Sequence, residues 1–188
     1  MGRKRLLLRF GALGIGVALA LAPGPAASAS KSVNHHAKHH KAPKKSGNST
    51  ASFNSCSVVT QAEAASALGS SVTPGVLGNA VVEGGFACVF YGPSAPTPST
   101  PNVGQPDSVR VVVVKGPDAL TFYNNYKSSP EVRAKALTGY GQQSYYDGYA
   151  SLNVLKGVYY IRIAVVPAGS APSLSDEENL ANAILPKL

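Results

Sequence analysis

The chain contains two cysteines, Cys56 and Cys88, and whether they meet decides what it can fold into. Cytosolic reductants keep such thiols apart, whereas an oxidising destination joins them. The first 29 residues argue for export. Met1 to Arg9 is cationic, Phe10 to Ala22 is an apolar run closed by Pro23 and Pro25, and Ala27-Ser28-Ala29 offers the small residues a signal peptidase reads. Cleavage after Ala29 is expected. The apolar run falls short of the ~20 residues that span a bilayer, and no cysteine near the cleavage point could take a lipid. The product is therefore expected to be secreted, in the extracellular space or the cell envelope, with no transmembrane segment after cleavage. There Cys56 and Cys88 are expected to pair, which stabilises the fold by roughly 3–4 kcal/mol in the chain-entropy account.

Residues 30–55 are Lys, His, Ser, Asn and Ala with almost nothing to bury, so the entropy lost on ordering could not be recovered. A disordered basic tether is expected there, followed by a single disulfide-closed domain over residues 56–188. The net charge of +8 belongs mostly to the leader (Arg3, Lys4, Arg5, Arg9) and the tether (Lys31, Lys38, Lys41, Lys44, Lys45). From Cys56 onward eight basic residues face all nine acidic ones. A nucleic-acid groove needs a concentrated basic face, and this domain has no charge to spare for one. The tether lysines favour loose contact with anionic wall polymers or lipid head groups, screened beyond about 8 Å at physiological salt.

Within the tether, His35, His36, His39 and His40 place four imidazoles in six residues. That is enough to chelate a divalent transition metal if the chain wraps around it. It is also what a solvated spacer that gains charge in mildly acidic surroundings would contain. Asn48-Ser49-Thr50 matches a glycosylation acceptor, relevant only in a host with that machinery.

Thr60-Gln61-Ala62-Glu63 reads as a capping box opening a short helix that Gly69 ends. Strands are expected over Val72–Leu77 and Phe86–Tyr91. Gly92 to Asp107 carries five prolines and can join neither a ladder nor a helix interior, so it is a long loop: a contact loop or a variable insertion. Ser108–Val114 is apolar at both parities, which implies cover on both faces for most of its length. Pro117 opens a second helix to Lys127, with Ala119, Phe122, Tyr123 and Tyr126 on one stripe. Asp147-Gly148 and Lys156-Gly157 mark turns in a meander of Gln143–Tyr146, Tyr149–Leu155 and Val158–Val166. Ser175-Asp-Glu-Glu178 resembles a second capping box before a helix striped by Leu180, Ala183, Ile184 and Leu188. The expected fold is α+β and two-layered, with helices on one face of an antiparallel sheet in the order α-βββ-α-βββ-α.

Cys56-Ser-Val-Val-Thr60-Gln-Ala-Glu63, Ala67-Leu68-Gly69, Cys88-Val-Phe-Tyr91 and Gly139-Tyr140-Gly141, followed by a paired-strand region and a terminal Ala/Leu helix, carry a resemblance. The pattern resembles a group of uncharacterised actinobacterial exported small domains, often lipoproteins, that open with Cys-x-Leu-Leu-Thr-x-x-Glu. It spans roughly Cys56 to Leu188. Here Val58 and Val59 replace the leucines and the lipidation cysteine is missing. The resemblance implies a fold but no activity.

No histidine or tryptophan follows Cys56, so His-based activation of a nucleophile and a multi-His metal site are both excluded from the domain. Glu63, Asp118, Asp176, Glu177 and Glu178 are explained by helix starts and Asp147 by a turn, leaving Glu83, Asp107 and Glu131 unassigned. No phosphate-cradling loop is present. Tyr140, Tyr145, Tyr146 and Tyr149 gather around the Asp-Gly turn, as a binding face or as residues that strand alternation partly buries. The expected function is a secreted non-catalytic binding or interaction module with no cofactor, recognising an unidentified protein or envelope ligand. Divalent-metal binding through the His tract is the alternative from another class, and an enzyme working through tyrosines and carboxylates is a third.

Overall fold

One antiparallel sheet of seven strands organises the computed structural model, which describes residues 53–96 and 105–188. The strands are β1 (Val76–Ala80), β2 (Gly85–Tyr91), β3 (Ser108–Lys115), β4 (Lys135–Leu137), β5 (Gln143–Tyr146), β6 (Ser151–Lys156) and β7 (Tyr159–Val166). Their spatial order is β1-β2-β3-β7-β6-β5-β4, so two meanders, β1 to β3 and β4 to β7, join at the central β3–β7 ladder. Helix α1 (Gln61–Leu68) precedes the first meander, α2 (Ala119–Lys127) links the two, and α3 (Leu174–Ile184) closes the chain. The leader, most of the tether with its His tract, and the middle of the Pro-rich stretch lie outside the described residues.

Strand parity sorts the side chains into two cores. Val109, Val111 and Val113 of β3, with Ile161, Ile163 and Val165 of β7, face one side and bury Ala64 and Leu68 of α1 and Leu180, Ala181 and Ile184 of α3. Val112, Val114 and Tyr160 face the other side, where Ala119 and Tyr123 of α2 cover them. The protein is α+β, but the expected two layers are three. A strand apolar at both parities needs cover on both faces, and α2 supplies the second.

The expected order also fails in its second half, which has four strands. The extra one, β4, is a three-residue edge strand with no apolar run to announce it, held by pairing Lys135 to Leu137 against Tyr146 to Ser144. Elsewhere the expected elements form with shifted ends. β1 starts at Val76 rather than Val72, and β6 starts at Ser151 rather than Tyr149, because the Asp147 carboxylate claims the amides of Tyr149, Ala150 and Ser151. The 175–178 capping box is absent: α3 starts at Leu174 after Ser173, whose side chain caps no amide.

The capping box of α1 forms as expected, with Thr60 Oγ1 accepting from the Glu63 amide and Glu63 Oε2 accepting from the Thr60 amide at 2.8 Å. Lys187 closes on the same carboxylate at 2.7 Å. Burial opposes ionisation of Glu63, but the Lys187 and Thr60 hydrogen bonds outweigh it and hold the carboxyl below its ordinary range. Thr60→Ala is expected to lower stability by about 1 kcal/mol, read as an earlier midpoint in urea unfolding with an unchanged slope.

Cys56 and Cys88 are joined, with Cα atoms 5.0 Å apart, and tie the start of the domain to β2 on the α1/α3 face. Just before them, Ser55 Oγ is inserted in the sheet: it donates to the Phe86 carbonyl and accepts from the Val113 amide at 2.9 Å. Phe53 packs edge-on against Tyr159. The packed part of the chain thus reaches back three residues before the disulfide.

Candidate functional site

Register fixes two ends of the sheet. The turns after β1 and β6 and the segment between β3 and α2 share the upper end. The Pro-rich connection between β2 and β3 and the turn between β5 and β6 share the lower end. On the α2 face, toward the lower end, four charged side chains are buried together: Glu83, Arg110, Asp147 and Arg162.

The two arginines arrive by strand register. Arg110 pairs with Ala164 and Arg162 with Val112 on the neighbouring strand, so both project from the same face two residues apart. Glu83 comes from the connection between β1 and β2, which folds over this face. Gly84 permits the fold: at φ +73° it sits where any Cβ would strike the Phe122 ring of α2 at about 2 Å. Glu83 then meets Arg110 in a two-pronged pair at 2.7 and 3.1 Å and Arg162 at 2.8 Å. Burial works against the Glu83 charge, but hydrogen bonding and charge from Arg110, then the charge of Arg162, outweigh it and hold the carboxyl below its ordinary range.

Asp147 is the second hub. One carboxylate oxygen accepts from three successive amides, of Tyr149, Ala150 and Ser151, at 2.9 to 3.1 Å. The other accepts from the Tyr126 hydroxyl at 2.9 Å and faces Arg162 at 3.5 Å. Arg162 also donates to Ser151 Oγ at 3.1 Å, and its guanidinium stacks on the Tyr126 ring at 4.1 Å from the centroid. Burial costs the Arg162 charge, but Tyr126, Glu83, Tyr160 and Asp147 more than compensate, and the guanidinium is held above its ordinary range. Two positive and two negative groups make a neutral tetrad.

Beside it opens a cleft of about 210 Å³. Arg110, Arg162, Asp147 and Ser151 supply its polar lining, Ala164 and Val166 its apolar strand wall, and Tyr126, Tyr149 and Ala150 the rest. Arg110 Nε is buried without a hydrogen-bond partner. Burial first, with the Asp147 and Glu83 charges behind it, raises Tyr126 far above a normal phenol despite the opposing Arg162, so its hydroxyl stays protonated.

The four tyrosines singled out in the sequence do not form one face. Tyr145 is fully buried in the α2-side core, edge-on to Tyr123. Tyr146 is half-buried and donates to the Tyr149 carbonyl. Tyr140 lies between β4 and β5 at the upper end and packs against the opposite core. Tyr149 alone lines the cleft, exposed at its rim. Of the three unassigned acids, Glu83 is the centre of the tetrad and Glu131 is exposed. Asp107, at φ +58°, accepts the Ser94 amide at 2.7 Å and clamps the base of the Pro-rich stretch.

Reading the sequence by motif missed Arg110 and Arg162. The signal available was a lone arginine within Val109-Arg-Val111 and Ile161-Arg-Ile163, since a charge inside a strand covered on both faces must find a buried partner. The His35, His36, His39 and His40 tract lies outside the described residues; among those described, no group of His, Cys, Asp and Glu is arranged to hold a metal ion. No family model, curated protein or solved structure matches the chain.

Proposed function

We propose that this chain is an exported, non-catalytic binding module and that its ligand seat is the cleft beside the arginine–carboxylate tetrad. The observation that carries this reading is a concave, mostly apolar site with a preorganised polar floor and one buried donor, Arg110 Nε, left over. Every other polar group of the tetrad already has a partner, so the site is rigid before a ligand arrives. The same bonding argues against acid–base chemistry. Both carboxylates are committed to guanidinium and amide donors, and Tyr126 keeps its proton. Balanced charge favours a neutral ligand that brings a hydrogen-bond acceptor and a small apolar group, such as an acylated sugar of an envelope polymer, over a polyanion. The disulfide fits an oxidising destination.

Amide chemical shifts test this, with N-acetylglucosamine, muramyl dipeptide and poly(glycerol phosphate) as probes. The two acylated probes are expected to move the amides of Tyr149, Ala150, Ser151, Ala164 and Val166, and Ala164→Phe, which fills the cleft, is expected to abolish the shifts. Shifts centred elsewhere, no shift with any probe, or chemical conversion of a probe would overturn the reading.

A further inference from the structure

Tyr149, at the rim of the cleft, differs from the other aromatic residues of the domain. Among the described residues it is the one exposed aromatic side chain, at 56%. Neither its ring nor its hydroxyl engages any described neighbour. Tyr126, the other aromatic of the cleft, is by contrast spent on Asp147 and Arg162.

An exposed ring on a loose loop would need no explanation, but the backbone that carries this one is held from both sides. The Tyr149 amide donates to Asp147 at 2.9 Å, and its carbonyl accepts from the Tyr146 hydroxyl at 2.7 Å. Two residues earlier, the Asp147 carbonyl accepts the Arg133 amide at 2.9 Å. Gly148 completes the turn at φ +88°, where a Cβ would lie 2.9 Å from that of Arg133. A tyrosine ring has only two side-chain torsions to lose, so one whose backbone is already fixed offers contact area at low entropic cost.

The floor of the same cleft restricts what can lie against that ring. Its acceptors are used: both oxygens of Glu83 and both of Asp147 already take bonds from guanidinium, phenol or amide donors. Donors are what remain. Arg110 Nε has no partner, and Ser151 Oγ accepts from Arg162 but passes its own proton to no described acceptor. The neutral tetrad disfavours a net charge, so an occupant must bring an apolar face together with lone pairs around its edge. A planar aromatic group has the face but few lone pairs. A pyranose has both, in the C–H bonds of one ring face, which the negative face of a phenol attracts, and in its ring, hydroxyl and acyl oxygens. The cleft volume of about 210 Å³ equals that of roughly seven waters, room for a single sugar ring.

We infer that Tyr149 is the stacking platform for one neutral pyranose residue, whose edge oxygens turn to Arg110 and Ser151. The inference rests on the cleft being the ligand seat and adds the residue that selects a ring.

The chain has no tryptophan, so Tyr149→Trp places its single indole at the rim. The emission of this variant is expected to change saturably with N-acetylglucosamine and to ignore N-acetylethanolamine, which carries the same acyl group without the ring. Followed through the Ala164 and Val166 amides, Tyr149→Phe is expected to bind N-acetylglucosamine within about twofold of the parent, and Tyr149→Ala about fivefold more weakly or worse. Thermal midpoints should stay unchanged in both, because the turn is held through the Tyr149 backbone and not through its ring. Parental affinity in Tyr149→Ala would overturn the platform while leaving the cleft as the seat. No response of the parent chain to the sugar would overturn the seat and the platform together. Equal binding of N-acetylethanolamine, or tighter binding of N-acetylphenylalaninamide, would also overturn the inference, by assigning the cleft to the acyl group alone or to an aromatic side chain.

Discussion

Glu83→Ala is expected to cost about 3–5 kcal/mol of folding stability, the largest single-residue effect in the domain. The carboxylate is fully buried and bonded to two guanidinium groups, each itself nearly inaccessible. Removing it leaves Arg110 and Arg162 facing each other from adjacent strands in a medium that screens poorly, with two desolvated charges and no counter-charge nearer than Asp147. Glu83→Gln keeps the shape and some hydrogen bonds but not the charge, so its loss should be smaller than that of alanine yet well above 1 kcal/mol. Urea unfolding reads both as lower midpoints. A control separates the cost of breaking the network from any net worth of having it: Glu83→Leu combined with Arg110→Met and Arg162→Met removes the charges together and is expected to recover most of the loss. A Glu83→Ala variant within 1 kcal/mol of the parent would show that the arginines are not held as a charge network.

The tetrad also explains how much of this protein is legible in its sequence. The disulfide, the α1 capping box, the α2 stripe and the meander from β5 to β7 follow from local rules, because each rests on residues a few positions apart or on an even cysteine count. The third layer was legible too, in the doubly apolar β3, but a one-faced arrangement of helices ignores what Val112 and Val114 must be covered by. The site was not legible as a site, since Glu83, Arg110, Asp147 and Arg162 are spread over 80 positions and meet only through the β3–β7 register and the fold-over of the Ala80–Gly85 connection. Assigning every acid near a helix start to dipole or capping duty failed at Glu177. Helical spacing from Leu180, Ala181 and Ile184 places Glu177 on their stripe, and the stripe faces the sheet.

That residue supplies the second large effect. Glu177 is 0% exposed, and although the Val165 amide approaches its carboxyl, neither oxygen completes a hydrogen bond of normal geometry. Burial raises its pKa most, the Val165 amide draws it back in part, and the charges of Asp147 and Asp176 raise it further against Arg162, to about 8 from an ordinary 4.5. Between those two values the folded chain holds a proton that the unfolded chain releases, so stability falls as pH rises through the window. The span corresponds to a loss on the order of 5 kcal/mol, complete once the pH passes the folded value. Glu83 acts in the opposite sense at lower pH: its carboxyl is held below the ordinary range, so its contribution is present above about 4.5 and is lost on further acidification. Maximal stability is therefore expected near pH 5. No histidine follows Phe53 to obscure the descent toward pH 8.5. Urea unfolding at pH 5, 7 and 8.5 measures it directly, and Glu177→Gln, which cannot titrate, is expected to flatten the profile and to be the more stable protein at pH 8.5. A wild-type profile already flat over that range, or the same slope in the glutamine variant, would mean that the buried carboxyl does not carry the proton.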